Sequence, residues 1–90
     1  MTAARFAVQY DPRAVNELGK LDKPVARRIV RAVDALGGDP RPSDSRPLVG
    51  HQDLWRIRVG AYRVIYTIKD GELLVLALRV AHRSEVYRSL

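Results

Sequence analysis

Hydrophobic and polar residues alternate strictly between Ala4 and Tyr10, with Phe6, Val8 and Tyr10 on one side of the chain. This period of two predicts a first β-strand. Asp11 followed by Pro12 is a favourable helix start, so the chain is expected to turn directly from the strand into a helix.

Two helices are predicted after the strand, and together they form a hairpin. The first breaks near residues 19–21, and Asp22 with Pro24 repeats the start signal for the second. The second ends at Gly37-Gly38. Its apolar residues recur three or four apart and form one stripe: Val25, Ile29, Val33 and Leu36.

The other side of this second helix carries Arg27, Arg28, Arg31 and Asp34. Two interpretations stay open: a solvated helix face, or a face that contacts RNA. Residues 39–53 contain three prolines and a glycine and predict a long irregular loop that covers another part of the molecule.

Two turn signals organise the last forty residues into three antiparallel strands. Asp70-Gly71 predicts a two-residue type I′ hairpin. Gly60-Ala61, between 54–59 and 62–68, predicts a type II′ hairpin. The chain as a whole is expected to be one α+β domain, 1–90, with element order βααβββα, the helical hairpin on one sheet face and a short C-terminal helix.

Turn positions fix register, which places Arg58 opposite Arg63 and Trp55 opposite Tyr66. Alternation then predicts an apolar face that receives the helices: Trp55, Ile57, Val59, Tyr62, Val64, Tyr66, Val75 and Ala77. The opposite face receives the arginines at 56, 58 and 63, and the alternation extends it to Val80 and His82. In this register Arg63 faces Leu78 and Tyr62 faces Arg79.

Arg58 and Arg63 are like charges directly opposite each other, which is unfavourable in an isolated sheet. An external anion is therefore expected to neutralise them, although a solvated face with aliphatic arginine stems is the alternative. His82 is the candidate proton carrier because its charge changes near neutral pH, and a strand-end histidine bonded to backbone is its alternative. Ser84 is expected to cap the C-terminal helix carrying Tyr87, unless that segment is a frayed tail.

Charge strengthens the expectation of a polyanionic partner. The sequence carries 16 basic and 10 acidic residues, a net charge of +6 and a pI near 10.3, and 13 of the 16 basic residues are arginine. It has no cysteine and only two histidines, so we expect no metal or other cofactor. No apolar run is long enough to span a bilayer, and we expect a cytoplasmic protein.

Three segments resemble the RelE/ParE superfamily of bacterial toxin–antitoxin modules, and the match covers essentially the whole chain. They are Arg46-Pro47-Leu48 followed by Gly50, the stretch 54–66, and the ending 82–88. The resemblance implies a metal-independent, ribosome-dependent endoribonuclease that cleaves mRNA in the A site and inhibits translation. It also implies a cognate antitoxin that joins the toxin in a hetero-oligomer.

By this resemblance, the functional positions of the family correspond to residues of this chain. Arg58, Arg63, His82 and Tyr87 are the expected catalytic residues, with Arg58 and Arg63 stabilising charge, His82 as acid or base and Tyr87 orienting the nucleotide. Arg56, Arg83 and Arg46 are the expected RNA contacts. Some relatives have lysine in place of Arg56 and Arg58 and arginine in place of Ala81, so the proton carrier is open.

Two other functions remain alternatives. A ParE-like toxin shares the fold but inhibits DNA gyrase without cutting RNA. A non-catalytic RNA-binding module needs only the net positive charge.

Overall fold

The computed structural model describes residues 5–85, which form two helices and five strands. The predicted α+β architecture is confirmed. In chain order the elements are β1 (Ala7–Tyr10), α1 (Pro12–Gly19), α2 (Lys23–Ala35), β2 (Arg46–Pro47), β3 (Leu54–Val59), β4 (Tyr62–Lys69) and β5 (Leu74–His82). The predicted C-terminal helix, with Ser84 as its cap and Glu85 in its first turn, continues over residues 86–90, which lie outside the described residues.

The five strands form one sheet in the order β1-β5-β4-β3-β2. β1 runs parallel to β5, and the other three pairings are antiparallel. β2 corrects the prediction that 39–53 is irregular throughout, because Arg46 and Pro47 pair with Arg56 and Trp55. Proline is tolerated there because β2 is an edge strand and needs no donor on its outer side.

The helix starts agree with the sequence. Asp11 accepts a hydrogen bond from the backbone N–H of Arg13 at 2.9 Å, and α1 begins with Pro12. The predicted stripe of α2 faces the sheet: Ile29, Val33 and Leu36 are buried, and Val25 packs at the edge of the core. The core lies between the helices and one sheet face.

The β3–β4 hairpin has the predicted register at every position, including Arg58 opposite Arg63. Gly60 has a φ of +59°, the left-handed conformation that the first central position of this turn requires. The apolar side chains Trp55, Tyr62 and Tyr66 contact the core as predicted.

The predicted type I′ turn at Asp70-Gly71 is wrong. Asp70–Glu72 form a 3₁₀ turn and Leu73 follows with a φ of +49°, so residues 70–73 make the connection. The Arg41 guanidinium donates two hydrogen bonds to the Asp70 carboxylate, at 2.8 and 3.1 Å. The Ala7 N–H donates to the Leu73 carbonyl at 2.7 Å. These bonds hold the loop in place. The pairing of β5 with β4 therefore differs by two residues from the prediction. Because side chains alternate between faces, a shift of two leaves the side chains before Leu78 on their predicted faces.

A β-bulge at Leu78 changes the faces beyond it. Tyr66 pairs with Ala77 but Ile65 pairs with Arg79, which leaves Leu78 as the extra residue. Alternation is therefore reversed from Arg79 onward. The prediction that Val80 and His82 share the face of Arg63 is wrong, because both lie on the face that carries the helices.

Glu17 of α1 holds the bulged end of β5. Its carboxylate accepts from the Val80 backbone N–H at 2.8 Å and from the Arg79 guanidinium, whose shortest N–O distance is also 2.8 Å. β1 ends opposite Ala77, so Glu17 supplies a hydrogen-bond acceptor where the neighbouring strand has stopped.

The loop after α2 covers the core-facing aromatic residues, as its length suggested. The Tyr66 hydroxyl donates to the Pro40 carbonyl at 2.8 Å, and the Arg41 guanidinium lies 5.5 Å from the ring centre of Trp55. Neither helix of the described chain has the length and apolar character needed to cross a membrane.

Candidate functional site

Four arginines lie on the sheet face opposite the helices. Arg56 and Arg58 are two residues apart on β3 and share this face. Arg46 of β2 is directly opposite Arg56, and Arg63 of β4 is directly opposite Arg58. We call these four residues the arginine surface.

No carboxylate neutralises the arginine surface within residues 5–85. The ion pairs of this part of the chain involve other arginines: Arg5, Arg13, Arg41 and Arg79. Arg46 instead donates to the carbonyls of Ser43 and Ser45 at 2.8 and 2.7 Å, which fixes its guanidinium at the rim. Asp44 borders the same open depression of about 280 Å³ with Arg46, Arg56 and Arg58, without forming an ion pair.

The electrostatics of the arginine surface favour an anion. The pKa of Arg56 is lowered, first by burial and then by the charges of Arg58, Arg63 and Arg46. An arginine remains protonated under such conditions, so the positive charges persist side by side. In addition, the Nε of Arg63 is buried and has no hydrogen-bond partner in the described structure. A phosphate would supply both negative charge and acceptors.

His82 is not part of the arginine surface. Its ring packs edge-on against Tyr62 with the ring centres 5.5 Å apart, on the helix-bearing face. Its Nδ1 accepts from the Ser84 backbone N–H at 3.2 Å and lies 2.8 Å from the Ser84 hydroxyl. The His82 backbone N–H donates to Glu85 at 3.0 Å. These bonds fit the alternative given above, a strand-end residue bonded locally.

The remaining predicted residues have different positions. Arg83 is exposed and donates its backbone N–H to the Ala61 carbonyl at 2.8 Å, which places it at the β3–β4 turn, next to the Arg58–Arg63 pair. Tyr87 lies outside the described residues. Opposite Arg63 on β5 stands Ala81, in the position predicted for Leu78, and its small side chain is buried.

Glu17 is the residue that the sequence analysis missed. It follows the buried Ala14 by three residues and precedes Leu21 by four, so it falls on the core-facing stripe of α1. A carboxylate on an apolar stripe requires a partner, and this signal was present in the sequence. No group of three or more histidine or carboxylate side chains converges anywhere in residues 5–85 to hold a metal.

Comparison with known proteins agrees with the resemblance seen in the sequence. The family model described as ParE toxin of type II toxin-antitoxin system, parDE, matches residues 8–87. The archaeal RelE–RelB complex from Pyrococcus horikoshii contains a chain 30% identical to this one, with 91% of this chain and 99% of that one covered and a TM-score of 0.78.

Two further relatives come from other organisms. The RelBE2 toxin–antitoxin complex of Mycobacterium tuberculosis has a chain with 28% identity and a TM-score of 0.78, covering 93% of this chain and 98% of that one. A Methanocaldococcus jannaschii protein provisionally named toxin RelE1 is 22% identical over 94% of this chain and 98% of its own length.

Proposed function

Because the chain belongs to the ParE toxin family of type II toxin–antitoxin systems, within the RelE/ParE superfamily, we propose that it acts as a ribosome-dependent endoribonuclease. Its substrate is mRNA in the ribosomal A site, and its effect is inhibition of translation. The arginine surface is the site that binds and activates the scissile phosphate.

One observation carries this proposal: four arginines on three adjoining strands have no carboxylate partner in the described chain. Positioned guanidinium groups are a recurrent means of binding phosphate bidentately. Because Arg58 and Arg63 repel each other in the free protein, an anion between them removes an unfavourable interaction as well as adding a favourable one. A surface that served only solubility would have mixed charges.

The chemistry is attack by a ribose 2′-hydroxyl on the adjacent phosphorus. The 2′-O–P bond forms, the P–O5′ bond breaks, and the products are a 2′,3′-cyclic phosphate and a 5′-hydroxyl. The proton of the 2′-hydroxyl leaves to a base, and the departing 5′-oxygen gains a proton. Negative charge increases on the phosphorane oxygens, where Arg58 and Arg63 would stabilise it.

Binding and charge stabilisation are assigned to separate arginines. Arg56, Arg46 and Arg83 would hold the flanking backbone, with Arg46 oriented by the loop carbonyls that it contacts. Tyr87 would orient the nucleotide. The position of His82 on the helix-bearing face argues for an indirect role, because its ring is directed toward Tyr62 rather than toward Arg63.

A cognate antitoxin is the proposed partner. The Pyrococcus horikoshii and Mycobacterium tuberculosis relatives were solved as toxin–antitoxin complexes. By analogy, an antitoxin encoded with this chain would cover the arginine surface with acidic side chains and form a hetero-oligomer. Neutralising the surface in this way would block access of RNA to it.

Primer-extension mapping of transcripts after brief induction in cells tests the proposal. We expect new 5′ ends within translated regions, and their loss in the Arg63→Gln variant. The same transcripts incubated with purified protein should be cut only when ribosomes are added. Intact transcripts accompanied by growth arrest would reject the proposal.

A second candidate, inhibition of DNA gyrase without RNA cleavage, is favoured by one observation. The described arginine surface contains no side chain that titrates near neutral pH, which a nuclease would use for proton transfer. Induction of the DNA-damage response together with intact mRNA would support this candidate instead.

A further inference from the structure

A row of cations follows the outer side of α2. Lys23, Arg27 and Arg31 are spaced four residues apart and exposed, and we call them the basic ridge. Arg28, also exposed, flanks the ridge beside the Gly60 turn. None of these four has an ion pair with another residue of the described chain. Asp34 continues the row but is contacted by Arg5.

This arrangement is unfavourable for an isolated helix. Like charges four residues apart lie next to each other on the surface and destabilise the helix. Surface helices often alternate basic residues with glutamate along an exposed face, and this helix could do so without loss of stability. The ridge therefore repeats the feature of the arginine surface, a set of adjacent cations without internal neutralisation.

We infer that the basic ridge is a second RNA-binding site, which takes the phosphate backbone of double-helical RNA. Its three cations extend over about 12 Å of helix axis at about 1.5 Å per residue. One strand of a nucleic-acid duplex presents a phosphate about every 3 Å along its axis, so about four phosphates lie within this length. The opposite side of α2 is buried in the core, which holds the ridge against the rest of the fold.

The residues around the ridge distinguish a duplex from other anionic partners. Single-stranded RNA is usually held by stacking on aromatic side chains, and α2 has none. A membrane-bound helix inserts an apolar face, but the apolar face of α2 packs against the sheet and only Val30 is an exposed large hydrophobic residue beside the ridge. Backbone binding to a duplex needs only positioned cations.

The ridge lies near one edge of the arginine surface. Arg58 lines one cavity together with Ala32 and Ala35 of α2, and Arg28 lies beside the Gly60 turn that joins the strands of Arg58 and Arg63. One toxin molecule can therefore present both sets of cations to neighbouring parts of a folded RNA.

The experiment compares two variants of the full chain that lose the same charge. Arg27→Gln with Arg31→Gln removes two ridge cations, and Arg13→Gln with Lys69→Gln removes two exposed cations elsewhere. Glutamine preserves helix propensity. The affinity for a short blunt RNA duplex is measured at several salt concentrations, and binding of a single-stranded RNA is measured in parallel.

The slope of log affinity against log salt should be lower by about 1.8 in the ridge variant, which loses two cations, if each phosphate contact contributes about 0.9 as it does in duplex DNA. The control variant should change the slope much less, and single-strand binding should be similar in both. Equal duplex binding by the two variants would overturn the inference, as would loss of duplex binding only in an Arg58→Gln, Arg63→Gln variant. A ridge variant that loses binding to anionic vesicles but keeps duplex binding would also overturn it. None of these results depends on mRNA cleavage.

Discussion

Replacing Arg63 by methionine should stabilise the protein while removing its activity. Methionine retains the length and apolar stem of the side chain but has no charge and no donors. Arg63 lies directly opposite Arg58, and its Nε is buried without a hydrogen-bond partner. Both features oppose folding in the absence of RNA.

The magnitude follows from these two features. A buried polar group without a partner costs about 1–3 kcal/mol, and like charges opposite each other on neighbouring strands cost a few tenths to about 1 kcal/mol. Arg63 as a whole is only partly buried, which reduces both costs. We therefore expect a net gain near the lower end, about 1–2 kcal/mol. For a domain of this size each kcal/mol raises the melting temperature by about 4–8 °C.

Arg79→Met is the matched control. Arg79 also lies in the sheet, but it is bound to Glu17, and the two side chains are 23% and 20% exposed. Its loss would leave a largely buried carboxylate with only the Val80 N–H, so this variant should be destabilised by about 2 kcal/mol. Unfolding by urea, followed by circular dichroism, gives both free energies.

The opposite signs of the two substitutions are the test. If Arg63→Met destabilises the protein as Arg79→Met does, the Arg63 guanidinium has stabilising partners in the folded state. In that case the arginine surface is part of the structure rather than an unneutralised anion site, and the reasoning is refuted.

Three further variants test other parts of the account. Tyr66→Phe should lose about 1 kcal/mol in urea unfolding, because its hydroxyl bond to the Pro40 carbonyl is removed; an unchanged free energy would show that this bond does not stabilise the loop. The pKa of Asp70 is lowered, chiefly by its hydrogen bond from Arg41. Its contribution to stability should be complete above the unfolded pKa of about 3.9 and lost as the pH falls through the lower folded value. Asp70→Asn should therefore flatten the acid part of the stability profile, and an unaltered profile would contradict the assignment. His82→Ala should reduce mRNA cleavage less than Arg63→Gln does; the reverse order would restore His82 as the proton carrier.

Local rules were sufficient for the β3–β4 hairpin and for the core-facing side of α2. The two-residue turn at Gly60-Ala61 fixed the β3–β4 register, and with it the Arg58–Arg63 pair at the centre of the site. The apolar stripe of α2 identified the core-facing residues. These predictions depend on turn geometry and periodicity, which neighbouring residues determine.

The failures come from contacts between distant parts of the chain. Asp70 is bound by Arg41 and Leu73 by Ala7, which favour a longer connection than the Asp-Gly signal predicts. The bulge at Leu78 accompanies the bonds from Val80 and Arg79 to Glu17, more than sixty positions earlier in the chain. One extra residue reversed the alternation and moved His82 away from the arginine surface. Patterns confined to β5 do not contain that information.

Cleavage of mRNA bound to programmed ribosomes by purified protein tests the central claim most directly. The parent and an Arg13→Gln control should cut at the same rate, whereas Arg63→Gln should be slower by about 10²–10³-fold, the usual effect of removing one donor that stabilises the transition state. Equal rates in the parent and Arg63→Gln, or no cleavage by the parent on ribosomes, would contradict the account.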